Sequence, residues 1–295
     1  MRFNGFTARI PLLVIGVTLG LLLSPGTRPA RANDAPLILE VLTTDVPQGG
    51  TAFLLVDAPG ANRITVQHGE FSYPPELRLG SQWEVVMGVP ADAPAGRYEL
   101  LVEAETDEGT REARTAFTIT KRAFPTQRLS RPSEEEQYAA PAARGETRLI
   151  ATALNRVTPR RWHGGFARPV AGDLTTDYGT QRLRNGKEVG RHAGLDLAAP
   201  RGTPVYAAAA GTVALARPLT LHGRTVVLDH GGGVAGLYLH LEDFAVKEGD
   251  LVIPGTLLGH VGTSGLTPAP HLHYALYVHG TPVDPGLLKE VPDGW

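Results

Sequence analysis

Arg224-Thr225-Val226-Val227-Leu228-Asp229-His230, then Gly231-Gly232-Gly233, then Val234 to Leu241 reads as a strand, a tight turn and a return strand. Apolar and β-branched residues fill both arms, and the glycines supply the backbone freedom that a reversal needs. Upstream, Val205-Tyr206-Ala207-Ala208-Ala209-Ala210-Gly211-Thr212-Val213 leads into this pair. Downstream, Leu251-Val252-Ile253 and the run from His271 to Val278 continue the β signal. From Phe166 onward the chain is expected to form a compact antiparallel β domain with long glycine-rich loops.

Working outward, Leu37 to Thr120 reads as a second β region. Ala52-Phe53-Leu54-Leu55-Val56, Trp83-Glu84-Val85-Val86-Met87 and Tyr98-Glu99-Leu100-Leu101-Val102 are strand-like, and Pro47-Gln48-Gly49-Gly50 and Pro94-Ala95-Gly96 are turns. This spacing suggests a sandwich of immunoglobulin-like type. Its one histidine, His68, precedes a glycine and reads as a loop residue. Between Lys121 and Arg161 the character changes. Ser133 followed by Glu134, Glu135 and Glu136 suits a helix start, Pro141 interrupts it, and Leu149, Ile150, Ala153, Leu154 and Val157 recur at helical spacing. One or two linker helices are expected, with the apolar stripe packed on a neighbouring domain. A connector that covers a groove and keeps the protein latent is the functional alternative. The expected organisation is mainly β: a sandwich over 36–121, a helical linker over 122–165 and an antiparallel β domain over 166–290.

Residues 1–32 read as an export signal. Arg2 and Arg9 carry charge, Ile10 to Leu23 is apolar, and Ala30-Arg31-Ala32 fits a cleavage site. No later segment is apolar enough to span a membrane. With 28 basic and 30 acidic residues, a net charge of −2 and no Lys/Arg block, nucleic-acid binding has no electrostatic footprint. The chain has no cysteine, which excludes disulfides and lipid attachment at a cysteine, and restricts a zinc site to histidine and carboxylate ligands. A periplasmic or extracellular location fits this pattern.

Eight of the ten histidines fall between His192 and His279. His192 and Asp196 in H-A-G-L-D, and His271 and His273 in H-L-H, are all zinc-binding side-chain types. On a strand, residues two apart point to the same face, so H-L-H aims two imidazoles together. Catalytic zinc commonly keeps three protein ligands and an open position, and His192, Asp196 and His273 would give two imidazoles and one carboxylate. Amide hydrolysis also needs a proton acceptor and an oxyanion stabiliser. His271 shares the strand face of His273, and His240 lies in Leu237-Tyr238-Leu239-His240-Leu241, where alternation puts the leucines on one side and Tyr238 with His240 on the other. A lone histidine on a β face is usually a hydrogen-bonded structural residue. The other histidines are read without a catalytic or metal role: His230 as part of a D-H-G turn, His260 as lying between glycine and valine, and His163, His222 and His279 as loop residues.

The stretch from Phe166 to Pro285 closely resembles the zinc metallopeptidases of the M23 family, the lysostaphin/LytM type of peptidoglycan endopeptidase. R-H-A-G-L-D-L-A-A-P-R-G-T-P-V-Y-A, A-A-G-T-V, V-V-L-D-H-G-G-G, L-Y-L-H-L, L-L-G-H-V-G-T-S-G and P-H-L-H-Y carry the resemblance, in order and spacing. The resemblance implies that one zinc ion is held by His192, Asp196 and His273, that His240 and His271 are catalytic, and that peptidoglycan cross-links are the substrate. The region before it looks like the immunoglobulin-like domain that precedes some M23 domains. Arg224 departs from the asparagine common after H-G. A non-catalytic M23-like activator of another wall hydrolase is the alternative, although such proteins usually lack a zinc ligand. A biotinyl or lipoyl carrier is suggested by V-K-E-G-D-L-V, but Lys247 is not at a hairpin tip.

Overall fold

The computed structural model describes residues 36–69, 71–130 and 143–292. The expected export signal and the helix start at Ser133 lie outside these residues. The N-terminal region holds β1 (Ile38–Val41), β2 (Asp45–Pro47), β3 (Thr51–Asp57), β4 (Arg63–His68), β5 (Phe71–Tyr73), β6 (Glu76–Leu79), β7 (Gln82–Gly88), β8 (Gly96–Thr106) and β9 (Gly109–Thr120). They form two sheets, ordered β1-β3-β7-β6 and β2-β9-β8-β4-β5. Alternate residues turn inward, so Leu54, Val56, Val85 and Met87 of one sheet meet Ile64, Val66, Leu100 and Val102 of the other in one core. His68 is not in a loop. It ends β4, donates its Nδ1–H to the Glu99 carbonyl, and packs on Tyr98.

The connector contains β10 (Thr126–Arg128) and α1 (Arg144–Leu154). The strand is a departure from the expected helical linker. Pro125 disfavours helical backbone at Phe124, and the following residues pair in parallel with an exposed edge of the C-terminal region. Helix α1 buries Ile150, Ala153 and Leu154, as the spacing predicts. Val157 lies beyond its end and is 63% exposed, so the stripe stops one turn earlier than expected.

The C-terminal region holds β11 (Asp173–Thr176), β12 (Gln181–Arg184), β13 (Lys187–Arg191), β14 (Leu195–Ala198), β15 (Pro204–Tyr206), β16 (Gly211–Leu219), β17 (Gly223–Gly231), β18 (Val234–Leu241), β19 (Leu251–Val252), β20 (Leu257–His260), β21 (His271–Val278) and β22 (Thr281–Val283). The main sheet is antiparallel throughout, in the order β11-β14-β21-β18-β17-β16-β19, with β22 also on β21. Every residue of β18 is buried, because both faces of the sheet are covered. Val226, Leu228, Tyr238, Leu272 and Tyr274 face one core. Val227, Leu237, Leu239 and Ala275 face the other, together with Ile150, Ala153 and Leu154 of α1. His271 and His273 have the parity of Ala275. The helix therefore covers one end of this face, and the other end is left for the histidines.

The two regions share packing. Phe53 and Val86 of the N-terminal sheet belong to the same core as Val278 and Val283. Gly88 allows the approach, since a Cβ there would lie 3.1 Å from side-chain atoms of Val278, Thr281 and Val283. Arg160 pairs with Glu84 at 3.0 Å, with side chains only 9% and 4% exposed, and its backbone N–H donates to Glu76. Arg122 pairs with Asp284 at 2.6 Å. Breaking a buried pair by removing one partner costs about 3–5 kcal/mol, because the remaining charge is stranded.

Candidate metal centre

Asp196 and His273 are directly opposite each other in the β14–β21 register, so their side chains rise from the same face. His192 sits in the short connection from β13 to β14. Gly194 lets that connection lie flush on β21, because a Cβ there would stand 2.4 Å from the Tyr274 carbonyl oxygen. The outcome is a triangle of donor atoms. His192 Nε2 and Asp196 Oδ1 are 2.9 Å apart, His273 Nδ1 and Asp196 Oδ1 2.9 Å, and the two ring nitrogens 3.1 Å. Tetrahedral bonds of about 2.0–2.1 Å set neighbouring ligand atoms about 3.3 Å apart, so the triangle fits three ligands of one small cation. His192 Nδ1–H donates to the Asp177 carbonyl at 3.1 Å, which turns Nε2 toward the triangle. Burial pushes the Asp196 carboxyl up, but the His192 and His273 rings, through hydrogen bonds and charge, hold it well below its ordinary value. It is a carboxylate ready to take a cation.

His271 and His240 stand beside this triangle. His271 Nδ1–H donates to the Ala269 carbonyl at 3.0 Å, and its Nε2 lies 3.7 Å from Asp196 Oδ1. The His240 ring centroid is 4.9 Å from that of His271. Its Nδ1–H donates to the Ser264 carbonyl at 3.0 Å. Burial drives the His240 pKa down to about 3, with repulsion from His271 and His273 added and the Ser264 bond opposing. His240 is therefore a neutral imidazole at neutral pH, with Nε2 as its acceptor nitrogen.

The path by which His240 arrives corrects the expected alternation. Tyr238 pairs with Tyr274 on the opposite face of the sheet, so strict alternation would send His240 away from His271. Between the pairs Val226↔Tyr238 and Arg224↔Leu241, two residues of β18 oppose the single Thr225 of β17. This is a β-bulge. His240 takes φ +64 within it. The bulge turns His240 onto the metal face, and Leu241 joins the Tyr238 core instead of that of Leu237 and Leu239.

Sequence reasoning brought together all five of these residues, and it missed their supports. His222, read as a loop histidine, is 5% exposed and bonded through Nδ1 to Glu146 of α1 at 3.0 Å. Ser264 and Asp177, which orient His240 and His192, act through main-chain carbonyls that no side-chain pattern announces. His230, read as a turn residue, is in β17 and wholly buried, and His260 is in β20, bonded to Asp243. His163 and His279 lie outside the strands, as expected. A cavity of about 450 Å³ adjoins His192, walled by Tyr178 and Arg191 on one side and by Pro90 and Asp92 of the N-terminal region on the other.

Residues 190–285 match the model of peptidase family M23. Among curated relatives, the chain is 43% identical over 112 residues to the peptidoglycan DD-endopeptidase ShyA of Vibrio cholerae, covering 38% of this chain and 26% of that protein. It is 43% identical over 94 residues to the DD-carboxypeptidase/endopeptidase Mpg of Neisseria meningitidis, covering 32% of this chain and 22% of that protein. The chain thus matches about a quarter of the length of these relatives. A crystal structure from Pseudomonas aeruginosa assigned to peptidase M23 aligns with a TM-score of 0.61 and 28% identity, over 83% of this chain and 95% of that one. The histidine triangle thus lies in a domain, residues 190–285, that matches peptidase family M23.

Proposed function

We propose that this protein is an exported, zinc-dependent endopeptidase that hydrolyses peptide cross-links of peptidoglycan. The observation that carries the reading is the triangle of His192, Asp196 and His273 with two further imidazoles, His240 and His271, on its rim. The donor set of two imidazoles and one carboxylate suits zinc and leaves room for a fourth ligand. When bound, zinc supplies Lewis acidity toward a carbonyl oxygen and lowers the pKa of water to about 7.

The remaining chemistry belongs to the chain. His240, neutral and held through Nδ1, accepts a proton at Nε2. Once protonated there, an imidazole donates from both nitrogens and can hydrogen-bond a developing oxyanion. His271, with Nδ1 fixed on Ala269, presents Nε2 from the adjacent position for the same work. The names of the two curated relatives point to a D,D-peptide bond as the first substrate to try. The domain spans 36–121, 122–165 and 166–290 and the export signal over 1–32 belong to this reading. Among the described residues no helix is long and apolar enough to cross a membrane.

The experiment is digestion of purified sacculi and of a D,D-cross-linked muropeptide dimer by the zinc-loaded protein, with products identified by mass. Release of monomers, abolished by a chelator and restored by zinc, supports the enzyme. Zinc-loaded protein that releases nothing, yet accelerates a second wall hydrolase, would establish the activator instead.

A further inference from the structure

Helix α1 lies outside the residues that match the family, yet one of its side chains reaches into the catalytic region. Glu146, in the first turn of α1, is bonded to a single loop by both carboxylate oxygens. Oε1 accepts from the Thr220 N–H at 2.6 Å. Oε2 accepts from the Leu221 N–H at 3.0 Å, the His222 N–H at 3.3 Å and the His222 Nδ1–H at 3.0 Å. Three successive backbone amides and an imidazole thus converge on one carboxylate, whose side chain is 18% exposed. Burial alone would push its pKa up, and the His222 ring and the amides outweigh that and hold it below its ordinary value.

The clamped loop leads to His240. The His222 carbonyl accepts the His240 N–H at 3.4 Å. The Leu221 carbonyl accepts the Leu266 N–H at 2.7 Å, tying the loop to the segment that contains Ser264. Gly223, at φ +70, allows the two segments to touch, since a Cβ there would lie 2.2 Å from the Ser264 carbonyl oxygen. Ser264 Oγ accepts the Arg224 N–H at 2.8 Å and donates to the Leu241 carbonyl at 2.6 Å. The carbonyl of Ser264 holds His240 Nδ1–H. His240 is in a left-handed backbone conformation that is uncommon for any residue but glycine.

We infer that Glu146 is a positioning residue: through the loop 220–222 and Ser264 it sets the backbone and tautomer of His240, which makes the connector helix a working part of the active site. This rests on the catalytic role proposed for His240. It also assigns α1 a task opposite to latency.

The test is a double-mutant cycle in the full chain with the zinc-loaded protein and the muropeptide dimer. Glu146→Gln is isosteric, but its amide N–H₂ faces N–H donors and so unseats the loop. It should lower kcat about 10- to 100-fold, with KM and bound zinc within about twofold of wild type. Made on top of His240→Gln, the same change should cost nothing further, because the group it positions is gone. An equal loss in both backgrounds would overturn the inference, as would a loss accounted for by zinc. A second readout is independent of activity. The His240 Nδ1 proton, seen by NMR on the Ser264 carbonyl, should exchange faster with solvent in Glu146→Gln, and an unchanged rate overturns the inference. Wild-type protein that never cleaves the dimer defeats the enzyme reading, and the exchange measurement still decides whether Glu146 holds His240. Should Glu146→Gln not fold, Glu146→Asp, which keeps the charge and shortens the reach, takes its place in the cycle and in the exchange measurement.

Discussion

His230 and His240 occupy neighbouring strands and share almost every property that marks a catalytic histidine. Both are wholly buried. Each gives Nδ1–H to a main-chain carbonyl, of Ala210 and Ser264 respectively. Burial drives both pKa values down, to about 4 for His230 and about 3 for His240. Their neighbours separate them. His230 meets the edge of Phe166 at 5.0 Å, inside an apolar core, and His240 meets His271 at 4.9 Å beside Asp196. A perturbed imidazole therefore says little about function until the groups that face it are known.

Five substitutions would break or sharpen this comparison. The largest effect is expected outside the pair. His273→Ala removes one corner of the triangle, so zinc and activity should vanish together, with hydrolysis down more than about 1000-fold. His240→Gln should retain zinc and lose about 100- to 1000-fold in kcat, as removal of a general base does. Retained activity there would reduce His240 to the standing of His230. His230→Gln should keep kcat within about threefold and lower stability by about 1–3 kcal/mol, measured by denaturant unfolding. The same variant tests acid stability. In the folded chain the His230 pKa lies near 4, below the ordinary 6.5 of the unfolded chain. The unfolded state then binds the extra proton first, so the His230 contribution is complete above pH 6.5 and fades as pH falls toward 4. Unfolding free energy should drop less steeply over that window in His230→Gln than in wild type. The smallest effect concerns the bulge. At φ +64, His240→Gly should be more stable than His240→Ala by about 1 kcal/mol, because only glycine accepts that backbone without strain.

The contrast between β21 and β18 explains what the sequence made legible. On β21 alternation holds, so H-L-H placed His271 and His273 on one face from spacing alone. On β18 the same rule gave the wrong face for His240, because an unpaired residue in a ladder changes parity and the residues of the strand carry no mark of it. The family resemblance selected His240 where alternation did not. Glu146 lies 76 residues from His222, and no periodicity links a first-turn acid to a distant loop. The inward residues of β3 and β7 were readable as buried. Their division between two cores was not, since alternation reports a face and never its occupant. The strand Thr126–Arg128 was hidden for a similar reason: it is polar and exposed, and only its partner makes it a strand.

Phe53 and Val86 belong to strands of the N-terminal sheet and pack in the core of the C-terminal region. Swapping the N-terminal region for that of another protein would open a hole beneath β21. Substitutions at 53, 86 and 88 are constrained by what stands at 278, 281 and 283, so these positions can drift only in concert. In a calorimeter the two regions should melt as a single transition, because Phe53 and Val86 complete the C-terminal core.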